Sequence, residues 1–254
     1  MTQRFQGMIQ IVRFNPSYYG AGAFTLLAGT LLLARTWNRI PPMLSILTLV
    51  GLVFACWWLL ASLVVSHLVY DRSDWPRGAW LTSMIGKQSV QRVLNVHCGF
   101  DESTMRLRAW LPEAEVVALD LFDSVRLTET SIHRARAFRP PLPGTLQGAP
   151  ERWPVEPASF DVVCFLLSAH EYRSSVEREA LFQRAREGLR PGGCVLLAEH
   201  VRDPANFAAF GPGFLHFHSS AAWRRAWTGA GLQIHVEQRV TPWLSVWCLQ
   251  SNNS

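Results

Sequence analysis

Residues Arg92–Asp123 read RVLNVHCGFDESTMRLRAWLPEAEVVALDLFD. A short apolar run ends at a turn holding Gly99, a helical stretch follows, and a second apolar run carries Asp120 at its end. Strand, glycine turn, helix and strand with a terminal carboxylate form the opening βαβ unit of a nucleotide-binding α/β fold. The glycine lets the backbone approach a ligand, and the carboxylate can accept hydrogen bonds from two ribose hydroxyls.

The alternation continues downstream. Strands are predicted at Arg92–Val96, Val116–Leu121, Phe160–Leu167, Cys194–Glu199, Gln233–Val240 and Leu244–Leu249. Helices are predicted at Glu102–Trp110, Ser124–Arg136, Ser175–Leu189 and Ser219–Ala230. Short apolar strands alternating with amphipathic helices imply an α/β domain with a Rossmann-like, mostly parallel sheet covered on both faces. Only Thr241, Pro242 and Trp243 separate the last two strands, so these form a C-terminal antiparallel hairpin. The proline-rich segment Arg139–Pro157 reads as an irregular loop with a short edge strand near Thr145.

The N-terminal part belongs to a different solvent. No charged residue occurs from Pro16 to Ala34, and no formal charge from Met43 to Val69; RTWNRIPP (Arg35–Pro42) separates the two runs. A helix rises about 1.5 Å per residue, so the second run reaches roughly 40 Å against a hydrocarbon core of about 30 Å. The expectation is an N-terminal transmembrane helical hairpin with both ends on one side. A hairpin lying in the plane of the membrane is the alternative. A cleaved signal peptide fits poorly, because the apolar stretch starts late and a longer one follows. The order is then an interfacial amphipathic segment at 1–15, a membrane hairpin at 16–70, a linker at 71–90 and the α/β domain at 91–254. Phe5, Met8, Ile9, Val12 and Phe14 give the first segment its apolar face. Trp75 and Trp80 read as interfacial aromatics or as caps on the soluble core. Arg4, Arg13, Arg72, Arg77 and Lys87 flank the hairpin, against Arg35 and Arg39 in its turn. That bias leans toward a cytoplasmic domain on the cell (inner) membrane.

Composition narrows the classes. The net charge of +5 over 254 residues comes almost entirely from arginine, Lys87 being the single lysine. No basic run with interleaved aromatics marks a nucleic-acid surface, so no nucleic-acid partner is expected. The five cysteines form no CxxC pair, which argues against a zinc knuckle or redox dithiol and suits a reducing compartment.

Four segments carry a family resemblance: VLNVHCGFDEST, VVALDLFD, GAPERWPVEPASFDVV and LFQRAREGLRPGGCVLLAEH. Together they resemble a class I S-adenosylmethionine (SAM) dependent methyltransferase over residues 91–250. The arrangement is also similar to a bacterial membrane-anchored subgroup with a divergent glycine-rich motif. The resemblance implies SAM as cofactor, with Asn95, His97, Cys98, Gly99 and Asp101 at the turn, Asp120 and Leu121 at the second strand, and Ser168 at the fourth. The sequence departs from the family pattern at several of these positions. Asn95 replaces an acidic residue, His97 and Asp101 replace glycines, and Ala149 replaces the aspartate that contacts the adenine amine. Asp101 and Glu102 offer replacement negative charge.

Ligands of open α/β sheets bind outside the carboxyl ends of the strands. Those ends carry His97 and Cys98, then Ser168, His170 and Glu171, then Glu199, His200 and Asp203; FGPGFLHFHS adds His216 and His218. His67 and His133 lie elsewhere. Methyl transfer requires alignment of a nucleophile and removal of its proton, a task suited to histidine. The candidate catalytic residues are His170, His200 and His216, with Glu171 and Glu199 as orienting partners. Adjacent strand residues point to opposite faces, so His170 and Glu171 would not chelate as a pair and no metal ligands are assigned. The aromatic segment Phe207–Phe217 reads as a lid over an apolar substrate or as a rigid connector packed on the sheet. The expected function is methylation of a lipophilic or membrane-delivered small molecule at O, S or N, with the lipid bilayer as partner. The alternatives are an inactive methyltransferase-fold binding or scaffold protein, and a metal-dependent enzyme on the same fold.

Overall fold

The computed structural model describes residues 5–86 and 89–251. Arg4 and Lys87, which enter the charge bias around the hairpin, lie outside the described residues, as do the extremes of the 1–15 and 91–254 segments. The N-terminal part comprises α1 (Gln6–Phe14), α2 (Pro16–Thr36) and α3 (Pro42–His67), and α3 runs on through a π-helical turn at Leu68–Arg72. Proline opens both α2 and α3, where its missing N–H is no loss. The two long helices pair closely because Gly22 faces Leu59 and Gly29 faces Leu52. Each is long and apolar enough to cross a membrane, and only 6% of the apolar window is buried. Phe24, Leu31, Leu47 and Phe54 are among the bare side chains. So large an exposed apolar surface needs a partner or a bilayer.

The α/β part is a seven-stranded sheet of order β3-β2-β1-β4-β5-β7-β6. Its strands are β1 (Arg92–His97), β2 (Glu115–Asp120), β3 (Leu146–Gln147), β4 (Phe160–Leu166), β5 (Leu189–His200), β6 (Leu232–Thr241) and β7 (Leu244–Ser251). The first five strands are parallel, and β7 runs antiparallel between β5 and β6. This is the Rossmann-like sheet with a terminal antiparallel hairpin that the sequence predicts, including the short edge strand beside Thr145. Strand order reverses at β1, which lies between β2 and β4. A crevice therefore opens at the ends of β1 and β4, the usual place for a ligand.

Side-chain alternation divides the interior into two cores. Leu94, Phe165, Leu197 and Trp247 face one side, covered by α7 (Ser175–Gly188) and α9 (Ser220–Gly229). Val93, Cys164, Leu196 and Val246 face the other, covered by α4 (Ala79–Ile85), α5 (Thr104–Trp110) and the end of α3. The remaining helices are α6 (Thr130–Phe138) and α8 (Pro204–Phe210).

Several local expectations change. Trp75 and Trp80 are 2% and 3% exposed, stacked at 5.0 Å in the second core, so they do not sit at a membrane interface. α4 forms inside the stretch read as a linker, and α8 was not anticipated. α5 starts at Thr104 rather than Glu102, because Asp101 Oδ1 accepts the free N–H groups of Ser103 and Thr104. The helix expected from Ser124 starts at Thr130, after a turn closed by Val125 N–H on Asp123 Oδ1.

The first core is built around Phe182, fully buried, with Phe165, Trp223 and Trp227 ring centroids 5.6–6.4 Å away. Phe182→Ala is expected to destabilise the domain by about 3–5 kcal/mol. Denaturant unfolding in detergent, followed by tryptophan fluorescence, checks this.

Candidate active site

The β1 turn is organised by one buried carboxylate. Asp120, fully buried, accepts the N–H groups of Gly99 and Phe122 on Oδ1, both at 3.0 Å. Its Oδ2 is held by the Arg136 guanidinium and by Gln147 Nε2 at 3.5 Å. Gly99 has φ 98°, and a Cβ there would lie 2.6 Å from the Phe122 ring, so glycine is required twice over. Asn95 and Asp101 are turned inward: Asn95 Nδ2 donates to Thr104 Oγ1 at 2.8 Å and Asp101 Oδ1 at 3.3 Å. Asp101 thus acts as a helix cap. Of the two replacement acids only Glu102 lines the cavity described below, and burial raises its pKa. His97 is buried 3.5 Å from Asp120 Oδ1, both ring nitrogens lack a hydrogen bond, and burial lowers its pKa. Leu121 packs into the first core, its carbonyl accepting the Tyr172 hydroxyl at 2.6 Å.

The β4 exit brings the second group together. Leu167 adopts φ 58°, an uncommon conformation for a branched side chain, and bends the chain off the sheet into a 3-10 turn, Ala169–Glu171. The strand therefore ends before His170, and the alternation argument against a His170–Glu171 pair does not apply. His170 Nε2 lies 3.5 Å from Glu171 Oε1. On the other side, His170 Nδ1 donates to Glu199 Oε2 at 2.7 Å, and His170 N–H donates to Glu199 Oε1 at 3.1 Å. Burial pulls the His170 pKa down, but the Glu199 and Glu171 carboxylates outweigh it and raise the value to about 10. Ser168 Oγ donates to the Val96 carbonyl at 2.8 Å, tying this turn to β1.

The other two histidines carry the opposite charge state. His200 Nδ1 faces the Trp243 carbonyl at 2.7 Å, which can only accept, so this nitrogen carries the proton. Its Nε2 then accepts from the Tyr70 hydroxyl at 2.8 Å. Burial and the nearby His170 lower the His200 pKa to about 4. His216 Nδ1 accepts from Arg173 at 2.7 Å, its ring lies 5.1 Å from that of His170, and burial lowers its pKa to about 3. At neutral pH the site holds one imidazolium, His170, beside two neutral imidazoles. His218 points back toward Trp223 and the Tyr172 carbonyl, and Asp203 caps α8, so neither serves this site.

A cavity of about 410 Å³ joins these groups. Its domain wall includes Cys98, Phe100, Glu102, Ser168, His170 and His216. Its other wall comes from the N-terminal helices: Phe14 of α1, Tyr18 and Tyr19 of α2, Ser62 of α3 and Tyr70 just beyond it. Sequence reasoning missed this second wall. The signal was there as polar side chains in otherwise apolar runs; Tyr19 and Ser62 hydrogen bond across the helix pair at 3.0 Å. Asp120, His97 and Leu121 do not line the cavity; the Arg136 side chain, over the Phe122 ring, closes the way to Asp120.

Comparisons with known proteins bear on the fold. Residues 93–193 match the family model described as a methyltransferase domain. A SAM dependent methyltransferase from Aquifex aeolicus has the same fold, with TM-score 0.52 and 14% identity, over 72% of this chain and 92% of that one. A protein from Pyrococcus horikoshii OT3 gives TM-score 0.51 and 16% identity, over 68% of this chain and 86% of that one. No curated protein matches the chain in sequence.

The residues fit SAM with one exchange. Asp120 Oδ1 is satisfied by backbone, while Oδ2 is met by side-chain donors alone. Two ribose hydroxyls can replace those donors one for one, and the Arg136 side chain, 27% exposed, can move aside into solvent. Cys98, Glu102 and Ser168, which line the cavity, would be the groups nearest the amino-acid end.

The neutral state of His200 has a stability consequence. Its folded pKa lies below the unfolded value, so its contribution is present above about pH 6.5 and is lost as pH falls toward about 4. The melting temperature of the wild type is expected to drop between about pH 7 and about pH 5. The drop should be smaller in His200→Gln, and scanning calorimetry at both pH values measures the difference.

Proposed function

We propose that the chain is a membrane-anchored SAM-dependent methyltransferase acting on a lipophilic or membrane-delivered small molecule at an O, S or N nucleophile. The observation carrying this reading is the shared cavity: strand-end polar groups form one wall and the bare apolar helices the other. A substrate leaving the bilayer along α2 and α3 would meet the catalytic wall without crossing water.

Bound SAM supplies an electrophilic methyl group on a sulfonium. Asp120 would hold its ribose end, and Gly99 would allow the backbone to come close. His200 is the base, reached through the Tyr70 hydroxyl: a proton leaving the nucleophile passes to Tyr70 Oη as that group gives its own to His200 Nε2. His170, charged and fixed by Glu199, donates to an oxygen or carboxylate of the substrate. The Phe207–Phe217 segment packs on α3 through Phe207 against Trp58, at 5.5 Å, and covers the cavity with Phe210 and Phe217.

The same contact bears on how the helices sit. Trp57 Nε1 donates to the Ala208 carbonyl at 3.0 Å, which holds the domain against α3 at that level. Only residues 42–56 extend beyond it, roughly 22 Å at ~1.5 Å per residue, against a core of ~30 Å. This favours a hairpin that enters the cytoplasmic leaflet of the cell membrane and turns back, with exposed Phe207 and Leu215 at the interface. Asn38→Cys in a Cys56→Ser background should escape impermeant maleimide on intact cells and in inverted vesicles alike. Labelling from outside the cell would mean that the hairpin crosses.

Calorimetric titration of the detergent-solubilised chain with SAM tests the activity reading. Asp120→Asn keeps an acceptor for Gly99 and Phe122 but loses the charge, worth about 1.5–3 kcal/mol per charged hydrogen bond, so binding should weaken roughly ten- to a hundredfold. No binding up to millimolar SAM, or equal binding by both proteins, overturns the assignment.

A further inference from the structure

We infer that His170, Glu171 and His216 form a binding site for a divalent transition-metal ion on the cavity wall. One ligand atom from each lies within 4.8 Å of the other two, and all three residues line the cavity. Contraction of about an ångström would bring these atoms to the spacing of ligands on bonds of about 2.0–2.2 Å.

Three further observations support it. Glu171 Oε2 is buried without a hydrogen-bond partner, and its side chain is 9% exposed. Such a carboxylate oxygen is costly unless a cation or donor reaches it. His170 is oriented as metal-bound histidines are: a buried carboxylate, Glu199, accepts a hydrogen bond from Nδ1–H at 2.7 Å and leaves Nε2 directed at Glu171, where the ion would displace the proton that Nε2 carries in the metal-free site. The three residues come from two turns, Ala169–Glu171 and Gly211–His216, that adjust more readily than strands. Two imidazoles and one carboxylate suit zinc, iron or cobalt rather than magnesium or calcium. The positions left open face the cavity, where an oxygen donor of the occupant would complete the shell.

One group opposes the ion. Arg173 donates to His216 Nδ1 at 2.7 Å and also to the His216 carbonyl. Ligation through Nδ1 requires the guanidinium to give up the ring. Arg173 therefore acts as a competitor for the site, and its removal should tighten metal binding.

Cobalt(II) is the probe, titrated without SAM into the tag-free, chelator-stripped chain in detergent and followed by its visible ligand-field bands. One equivalent is expected to bind, with the bands lost in His170→Ala and in His216→Ala. Glu171→Gln, which keeps size and shape, should also lose the bands and keeps the test valid if an alanine variant fails to fold. Glu199→Gln should weaken binding about 10–100-fold. Arg173→Met should strengthen it, and His235→Ala should leave it unchanged. No saturable binding up to millimolar cobalt, or bands that persist in Glu171→Gln, overturns the site. Its outcome is separate from that of the SAM titration: bands with no SAM binding would uphold the metal site and sink the methyltransferase reading.

Discussion

A carboxylate taken out of water must be met by donors, and two fully buried carboxylates organise the carboxyl edge of this sheet. Asp120 gathers Gly99, Phe122 and Arg136, so the β1 turn, the end of β2 and helix α6 meet at one atom group. Glu199 gathers both donors of His170, so the end of β5 fixes the turn after β4. Loss of Glu199 would leave the His170 charge unpaired, and loss of Asp120 would strand the N–H groups of Gly99 and Phe122; either would free the turn that depends on it.

The positive φ at Leu167 belongs to the same design. A strand continuing past Leu166 would send His170 and Glu171 to opposite faces of the sheet. The bend delivers both to the cavity side, and the two hydrogen bonds from His170 to Glu199 help hold it. Strain of order 1–3 kcal/mol is thereby retained at the cavity wall.

The apolar N-terminal helices form a wall of the cavity. α3 reaches the domain core through Val65 and Val69, and its extension supplies Tyr70 to His200. α1 packs back on the domain: Phe14 meets the Phe100 ring at 5.1 Å, and Arg134 donates to the Phe14 carbonyl. The cavity would therefore be open on one side without residues 5–70, and its occupant meets aromatic hydroxyls from the helices opposite imidazoles from the sheet.

Much of this was readable in the chain, because local pattern decides it. Runs such as VVALDL and FDVVCFLL alternate with amphipathic stretches, and a parallel sheet covered on both faces is the arrangement that buries them. Gly99 and Asp120 were legible from spacing, and so were the two uncharged helices. The charge states were not, since they depend on neighbours remote in sequence: His170 is held charged by Glu199, while His200 is kept neutral by burial beneath Tyr70. Nor was the pairing of His170 with Glu171, which follows from a backbone bend that residue type does not announce, or the closing of Asp120 by Arg136. The sequence alone determined the class of fold and the order of its strands and helices along the chain, because hydrophobic periodicity acts over a few residues. Only the tertiary structure decided which side chains share the cavity and which carry charge, because burial and Coulomb forces act between atoms that the chain brings together from far apart.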